Sequence, residues 1–211
     1  DQAKESVPVQ ELLSKAYAEK RRALIDPNKA MEGTEPGDPL GGTVYLCTAD
    51  KEGRMVSFIQ SNYMGFGSGI VVPGTGITLQ NRGCGFSLEE GHPNIYAPDK
   101  RPFHTIIPSF ITKDGAALAA FGVMGGDMQP QGQVQVFLNL FEYKMNIQEA
   151  GEVPRFRHFP HGLALESEIS VEAKMKLMEA GHKVVSALDD FGGFQGILID
   201  EETGLLKGGS D

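Results

Sequence analysis

The stretch Leu40-Gly41-Gly42-Thr43-Val44-Tyr45-Leu46-Cys47-Thr48-Ala49-Asp50-Lys51-Glu52-Gly53-Arg54-Met55-Val56-Ser57-Phe58-Ile59-Gln60-Ser61 decides how this 211-residue chain is read. Two runs rich in β-branched and aromatic residues, 43–49 and 54–61, flank the turn sequence Asp50-Lys51-Glu52-Gly53, so the pattern predicts a β-hairpin. The texture just before it is different. From Asp26-Pro27 to Gly42 the chain is studded with Pro, Gly and acidic residues that deny it helix and central strand, which predicts a flexible linker. The linker thus hands a hydroxyl residue, Thr43, directly to the first position of a strand.

Upstream, residues 6–25 read as an amphipathic helix capped by Ser6, with Pro8 in its first turn and Val9, Leu12, Leu13, Ala16 and Leu24 on one stripe. Downstream, 70–72 and 77–81 read as a strand pair around Pro73-Gly74-Thr75-Gly76, and a Gly- and Pro-rich loop runs from 82 to 102. Strands at 104–112 and 116–123 flank Lys113-Asp114-Gly115. A helix is predicted over 131–144 with Val134, Phe137, Leu138 and Phe141 on its packed face. A short helix follows with Asn146 as cap and Glu149 three residues on, a capping box. Ser170 caps a further helix that Gly181 ends, and closing strands lie at 183–188 and 196–200. Strands, then helices, then strands predict a layered α+β fold rather than a βαβ nucleotide-binding unit.

Charge narrows the function classes. The net charge of −9 argues against nucleic acid and anionic membranes as partners. No apolar run approaches the roughly 20 residues that span a bilayer. Two cysteines, Cys47 and Cys84, make no disulfide framework, and Cys47 reads as a packed thiol in an apolar run.

Three constellations could carry chemistry. Gly42-Thr43 is either a loop ending in a β-prone residue or a self-cleaving bond. In the second case the Thr43 hydroxyl attacks the Gly42 carbonyl, and the freed α-amine then serves as a base beside its own hydroxyl. Gly125-Gly126, after an apolar strand, is either a plain turn or a pair of bare N–H donors for an oxyanion. His158-Phe159-Pro160-His161 has a metal-like spacing, but Pro160 breaks the helix that would align the rings and no third ligand is near. His104 opens a predicted strand that could face a cleft. Gly65, Gly67 and Gly69 lack the following helix of a dinucleotide fingerprint.

The order of these motifs resembles gamma-glutamyltranspeptidases over nearly the whole chain. The matching segments are Glu11 to Ala30, Gly42-Thr43, Asp50 to Gly53, Phe66 to Ile70, Pro73 to Ile77, Lys100-Arg101-Pro102, Gly125-Gly126, Met145 to Ala150 with Pro154-Arg155, and Leu177 to His182. The resemblance implies the four-layer αββα sandwich of N-terminal-nucleophile hydrolases. It implies residues 1–42 as the end of a large subunit plus linker, and residues 43–211 as the small catalytic subunit. It further implies an acyl-enzyme on Thr43, Ser61 as the second hydroxyl, an oxyanion hole at Gly125 and Gly126, no cofactor or metal, and the large subunit of the same precursor as partner. Tyr63, Asn81, Arg82, His104 and Thr105 fall in the substrate-binding positions of that family.

The departures are informative. Val44 replaces a second Thr, Tyr63 replaces an Asn, and His104 and Thr105 replace two serines. Gly85 stands where the family carries the acid for the substrate's α-amino group. This pattern is similar to the acylase-like branch of the family. A catalytically silent scaffold and a His158/His161 metal hydrolase are the readings from other classes.

Overall fold

The computed structural model describes residues 10, 13–23, 26, 28, 29, 42–186 and 191–211. The linker expected over 26–42 and the caps Ser6 and Pro8 lie mostly or wholly outside them. The described helix α1, Lys15–Arg22, takes its cap from Ser14, whose Oγ accepts from the Tyr17 N–H at 3.1 Å.

The hairpin forms as expected. β1 (Gly42–Ala49) and β2 (Met55–Tyr63) pair antiparallel, with Thr43 opposite Ser61 and Tyr45 opposite Ile59. Alternation sorts the side chains: Thr43, Tyr45, Cys47, Ser57, Ile59 and Ser61 share one face. The other face carries Val44, Leu46, Val56 and Phe58, all 43–54% exposed, an apolar surface with no cover among the described residues.

The inner face lies on a four-stranded sheet. It consists of β3 (Ser109–Lys113), β4 (Ala116–Val123), β8 (Phe194–Ile199) and β9 (Leu206–Ser210), in the order β3-β4-β8-β9 and antiparallel throughout. Tyr45 presses so close to Gly122 that a Cβ there would sit 2.5 Å from its ring. Only glycine permits that approach. On the sheet's far face Phe121, Val123 and Phe194 pack with Val136 and Leu140 of α2 (Met128–Phe141) and with Ile147 and Ala150 of α3 (Ile147–Glu152). A Cβ on Gly151 would meet Phe194 at 2.2 Å, so α3 also rests directly on the sheet. The described residues therefore supply two β layers and one helical layer of an α+β sandwich. None of their helices is long and apolar enough to cross a membrane.

A smaller sheet is built from β5 (Phe156–Phe159), β6 (Gly162–Leu165) and β7 (Val184–Val185), with α4 (Val171–Glu179) before β7. The caps of α3 and α4 are those expected: Asn146 and Glu149 form a capping box, and Ser170 Oγ accepts from Ala173 N–H. The β5–β6 hairpin and the terminal strand β9 were not expected.

Several expectations need correction. The helix expected at 131–144 runs from 128 to 141, and of its expected packed face Phe141 meets the core while the other three residues do not. Val134, Phe137 and Leu138 are exposed, whereas Gln129, Gln133, Val136 and Leu140 are buried. The reason is that Gln133 has partners at both ends of its amide and Gln129 at its oxygen, although Gln129 Nε2 is buried without an acceptor among the described residues. Ile107 N–H donates to Gln129 Oε1 at 2.8 Å, and Gln133 Nε2 donates to the Ile107 carbonyl at 2.6 Å. The same bonds hold residues 104–108 out of β3, which begins only at Ser109. The pair expected at 70–72 and 77–81 forms a short antiparallel ladder around the Val71–Thr78 bridge: Val72 N–H donates to the Ile77 carbonyl at 2.8 Å, Leu79 N–H to the Ile70 carbonyl at 2.9 Å, and Ser68 N–H to the Leu79 carbonyl at 2.8 Å. Its apolar side chains Ile70, Val71, Ile77 and Leu79 are exposed.

Phe194 touches the core, Gly151 and Gly196 at once. Phe194→Ala should lower the unfolding free energy by about 3–5 kcal/mol, read from denaturant melting of the full-length protein. A loss under about 1 kcal/mol would mean the sheet and α3 are not packed through this ring.

Candidate active site

Thr43 stands at the mouth of the hairpin, half-buried. Its Oγ1 donates to Ser61 Oγ at 3.0 Å. The Tyr63 backbone N–H donates to the same Ser61 oxygen at 2.9 Å. One hydroxyl oxygen therefore accepts from both, using its two lone pairs, and keeps its own proton to donate elsewhere. The ladder slips between Gly42 and Thr43: Thr43 pairs with Ser61 but Gly42 with Tyr63, so β2 carries an extra residue, Asn62, opposite the candidate scissile bond. Tyr63 sits at φ +76°, a left-handed conformation unfavourable for an aromatic residue and costing about 1–3 kcal/mol. Strain and bulge thus sit side by side on β2, facing the Gly42–Thr43 bond.

Tyr63 is held in place from its other side. The Arg82 guanidinium carbon lies 4.7 Å from the centre of its ring, a cation–π contact. Arg82 opens a 3₁₀ turn over Arg82–Gly85 and is buried, with Nη1 donating to Thr105 Oγ1 at 2.9 Å. Burial draws the guanidinium below its ordinary pKa, and the neighbouring Tyr63 pulls it back up. Tyr63, Arg82, Gly85 and Thr105 line one cavity of about 430 Å³, completed by Phe103, Asp127 and the Arg157–Pro160 segment.

Gly125 and Gly126 follow β4 with φ of +109° and +57°, and their carbonyls accept from Met128 and Gln129 N–H at the start of α2. Their own N–H groups meet no acceptor among the described residues. A Cβ on Gly125 would lie 3.1 Å from Gly192 Cα, while Met124 N–H donates to the Gly193 carbonyl, so the turn leans on that loop. Arg155 anchors the loop, with Nη2 donating to the Gly192 carbonyl at 2.9 Å and to Asp211 Oδ2 at 2.6 Å.

The remaining candidates are placed elsewhere. Asn81 spends both ends of its amide on the Met64 backbone, accepting at 3.0 Å and donating at 3.4 Å. It staples the loop to the end of β2. His104 is exposed, with Nδ1 2.6 Å from the Pro102 carbonyl, and does not line the cavity that its neighbour Thr105 enters. His158 and His161 sit on the β5–β6 hairpin, where His158 lines the cavity and His161 stacks on Phe159 at 5.2 Å. Arg157 and Asp127 carried no signal in the sequence. Arg157 is visible only once β5 is known to be a strand with alternate residues turned inward.

The gamma-glutamyltranspeptidase family model matches residues 1–211, all of this chain. The chain belongs to that family. The cephalosporin acylase of Bacillus halodurans is 48% identical in a superposition with TM-score 0.90, covering 100% of this chain and 39% of that one. The oxamate amidohydrolase proenzyme of Klebsiella pneumoniae is 37% identical over 97% of this chain and 40% of its own length. An acivicin-inhibited gamma-glutamyltranspeptidase superposes with TM-score 0.70 at 26% identity, covering 79% of this chain and 96% of that one. The chain spans about two fifths of the length of the curated relatives it matches. The fold is accordingly the N-terminal-nucleophile hydrolase sandwich of this family.

The thiols differ in a measurable way. Burial pushes the Cys47 thiol above its ordinary pKa, partly offset by its hydrogen bond with Tyr45, while Cys84 is exposed. A raised pKa leaves less thiolate at pH 8. Iodoacetamide should therefore modify Cys84 well before Cys47 in the native full-length protein, as followed by peptide mass spectrometry. Equal rates would mean that β1 is open to solvent.

Proposed function

We propose that this chain is the end of the large subunit plus the small subunit of a self-processing N-terminal-threonine amide hydrolase or acyltransferase. The observation that carries this is the Thr43–Ser61 hydroxyl pair, with the Asn62 bulge of β2 facing the Gly42–Thr43 bond. With Thr43 Oγ1 donating to Ser61, its lone pairs are free to attack the Gly42 carbonyl carbon. The C–N bond breaks, the nitrogen takes a proton, and water hydrolyses the resulting ester to leave a Gly42 carboxylate and a free Thr43. The new α-amine, ordinarily titrating near 8, is then the base for a second round in which a substrate amide acylates the same oxygen. The acyl group leaves to water or to an amine. Gly125 and Gly126 N–H groups are the donors for the oxyanion in both rounds.

The division at Gly42–Thr43 has support in chain lengths. Residues 43–211 are 169 of the 211 residues. The gamma-glutamyltranspeptidase chain that aligns with 79% of this sequence is itself 96% covered, so it is close in length to that part. The large subunit of the same precursor is then the partner. A small-molecule amide is the substrate.

Intact mass spectrometry of the full-length protein should find a chain beginning at Thr43. Thr43→Ala should remain unsplit. Ser61→Ala, which removes the acceptor of two hydrogen bonds each worth about 0.5–1.5 kcal/mol, should slow splitting about tenfold or more, and Ser61→Thr should restore it. A wild-type protein that stays whole on long incubation overturns the assignment.

The acyl group is the finer part of the reading. Gly85 lines the cavity and brings no carboxylate, so Asp127 is the one acid of a lining that also holds the guanidinium groups of Arg82 and Arg157, a balance that disfavours an α-ammonium group. We therefore favour acyl chains lacking the α-amine, the acylase alternative within this family. The relative named as an oxamate amidohydrolase acts, by its name, on the monoamide of a dicarboxylic acid. Matched glutaryl and γ-glutamyl anilides should differ in kcat/KM by at least tenfold in favour of glutaryl. The opposite order would show that another residue holds the amine.

A further inference from the structure

Arg82 is 2% exposed, and only part of its guanidinium is satisfied. Nη1 donates to Thr105, and the face of the group lies over Tyr63. Nη2 is buried with no hydrogen-bond acceptor among the described residues. A charged donor in that state is costly, and a carboxylate oxygen is its natural complement, since the guanidinium fork matches that group. The cavity offers the room, about 430 Å³ with apolar walls at Phe103, Phe159 and Pro160.

The charge around it favours an anion. Arg157, 1% exposed, also lines the cavity, its guanidinium carbon 4.4 Å from the Phe159 ring centre. Asp127 is the one carboxylate in the lining and His158 the remaining titratable side chain beyond Tyr63, so two guanidinium groups face one acid. Position links the cavity to the reacting oxygen. Tyr63, in contact with Arg82, lies two residues beyond Ser61 on β2, and its N–H donates to the Ser61 hydroxyl at 2.9 Å.

We propose that the Arg82 guanidinium is the anchor for a substrate carboxylate, held a few methylenes away from the amide that Thr43 attacks. This inference rests on the reading of Thr43 as acyl acceptor. The same carboxylate chemistry is found on a dicarboxylic acyl chain or on an amino-acid-like leaving group, and the substrates below separate the two.

The experiment uses the full-length protein. Calorimetric titration should show glutarate binding to wild type, with neutral dimethyl glutarate at least tenfold weaker. Arg82→Lys, which keeps the charge and loses the fork, should weaken glutarate at least tenfold, and Arg82→Gln should abolish it. In parallel, kcat/KM is measured for glutaryl anilide, pentanoyl anilide and pentanoyl 4-aminobenzoate. A glutaryl-over-pentanoyl preference that narrows in Arg82→Lys places the carboxylate on the acyl chain. A preference for the aminobenzoate that narrows in the same variant places it on the leaving group.

The proposal is overturned if wild type binds glutarate no better than the diester, or if the Arg82 variants bind it unchanged. A role limited to propping Tyr63 predicts that second result. Should Arg82→Gln fail to fold, Arg82→Lys and the acid-against-diester comparison on wild type still decide. Should the protein neither split nor turn over any anilide, the Thr43 reading falls while the glutarate titration continues to judge Arg82.

Discussion

The side-chain amides of Gln129, Gln131, Gln133 and Gln135 act as strand partners on two sides of α2, and the site depends on where they hold their neighbours. Gln131 accepts from His158 N–H at 2.7 Å and donates to its carbonyl at 3.1 Å, while Gln135 does the same for Phe156 at 3.0 and 2.9 Å. One helical turn matches the spacing of alternate residues on β5, so the edge strand finds its missing ladder on a helix. Gln129 and Gln133 turn the other way and grip Ile107. A buried amide left without partners costs about 1–3 kcal/mol, so the paired ends of Gln131, Gln133 and Gln135 set position strictly, while Gln129 is held at its oxygen alone. The first group places Arg157 and His158, the second places Thr105, and the start of the same helix carries Gly125-Gly126-Asp127. Three walls of the cavity are thereby referred to one rigid element.

A second chain of contacts fixes the reacting end. Thr43 leans on Ser61, Ser61 holds the Tyr63 backbone, Tyr63 lies against Arg82, and Arg82 is tied to Thr105. Each link is modest alone. Together they sustain a positive φ at an aromatic residue, which isolated chains avoid. The strain at Tyr63 and the slip at Gly42–Thr43 belong to one feature, because a bulged strand turns more sharply than its partner.

Much of this was legible in the sequence, for physical reasons. The hairpin was readable because alternation and a turn signal coincide over 43–61, and the caps Asn146 and Ser170 because capping is local chemistry. The placing of Thr43 beside Ser61 follows once that hairpin is granted, since the register leaves little choice. What escaped were features set by tertiary context. Glutamines that bury themselves by hydrogen bonding look like a solvent-facing stripe, so the helix was turned the wrong way round. His104 and Thr105 seemed equivalent, yet only Thr105 is drawn inward, by a partner 23 residues away. Asn81, expected at a substrate-binding position, has its amide on the Met64 backbone, a partner that nothing in its neighbourhood announced.

The outward face of the hairpin has a consequence for the life of the protein. Val44, Leu46, Val56 and Phe58 form an apolar sheet surface next to Thr43, and two strands cannot hide it alone. Residues 42–63 therefore borrow their solubility from whatever lies over them. If the backbone is cut beside such a surface after folding, the two pieces lose the tether that first brought them together. Unfolding then becomes a one-way event whose rate, rather than an equilibrium, measures how long the molecule lasts.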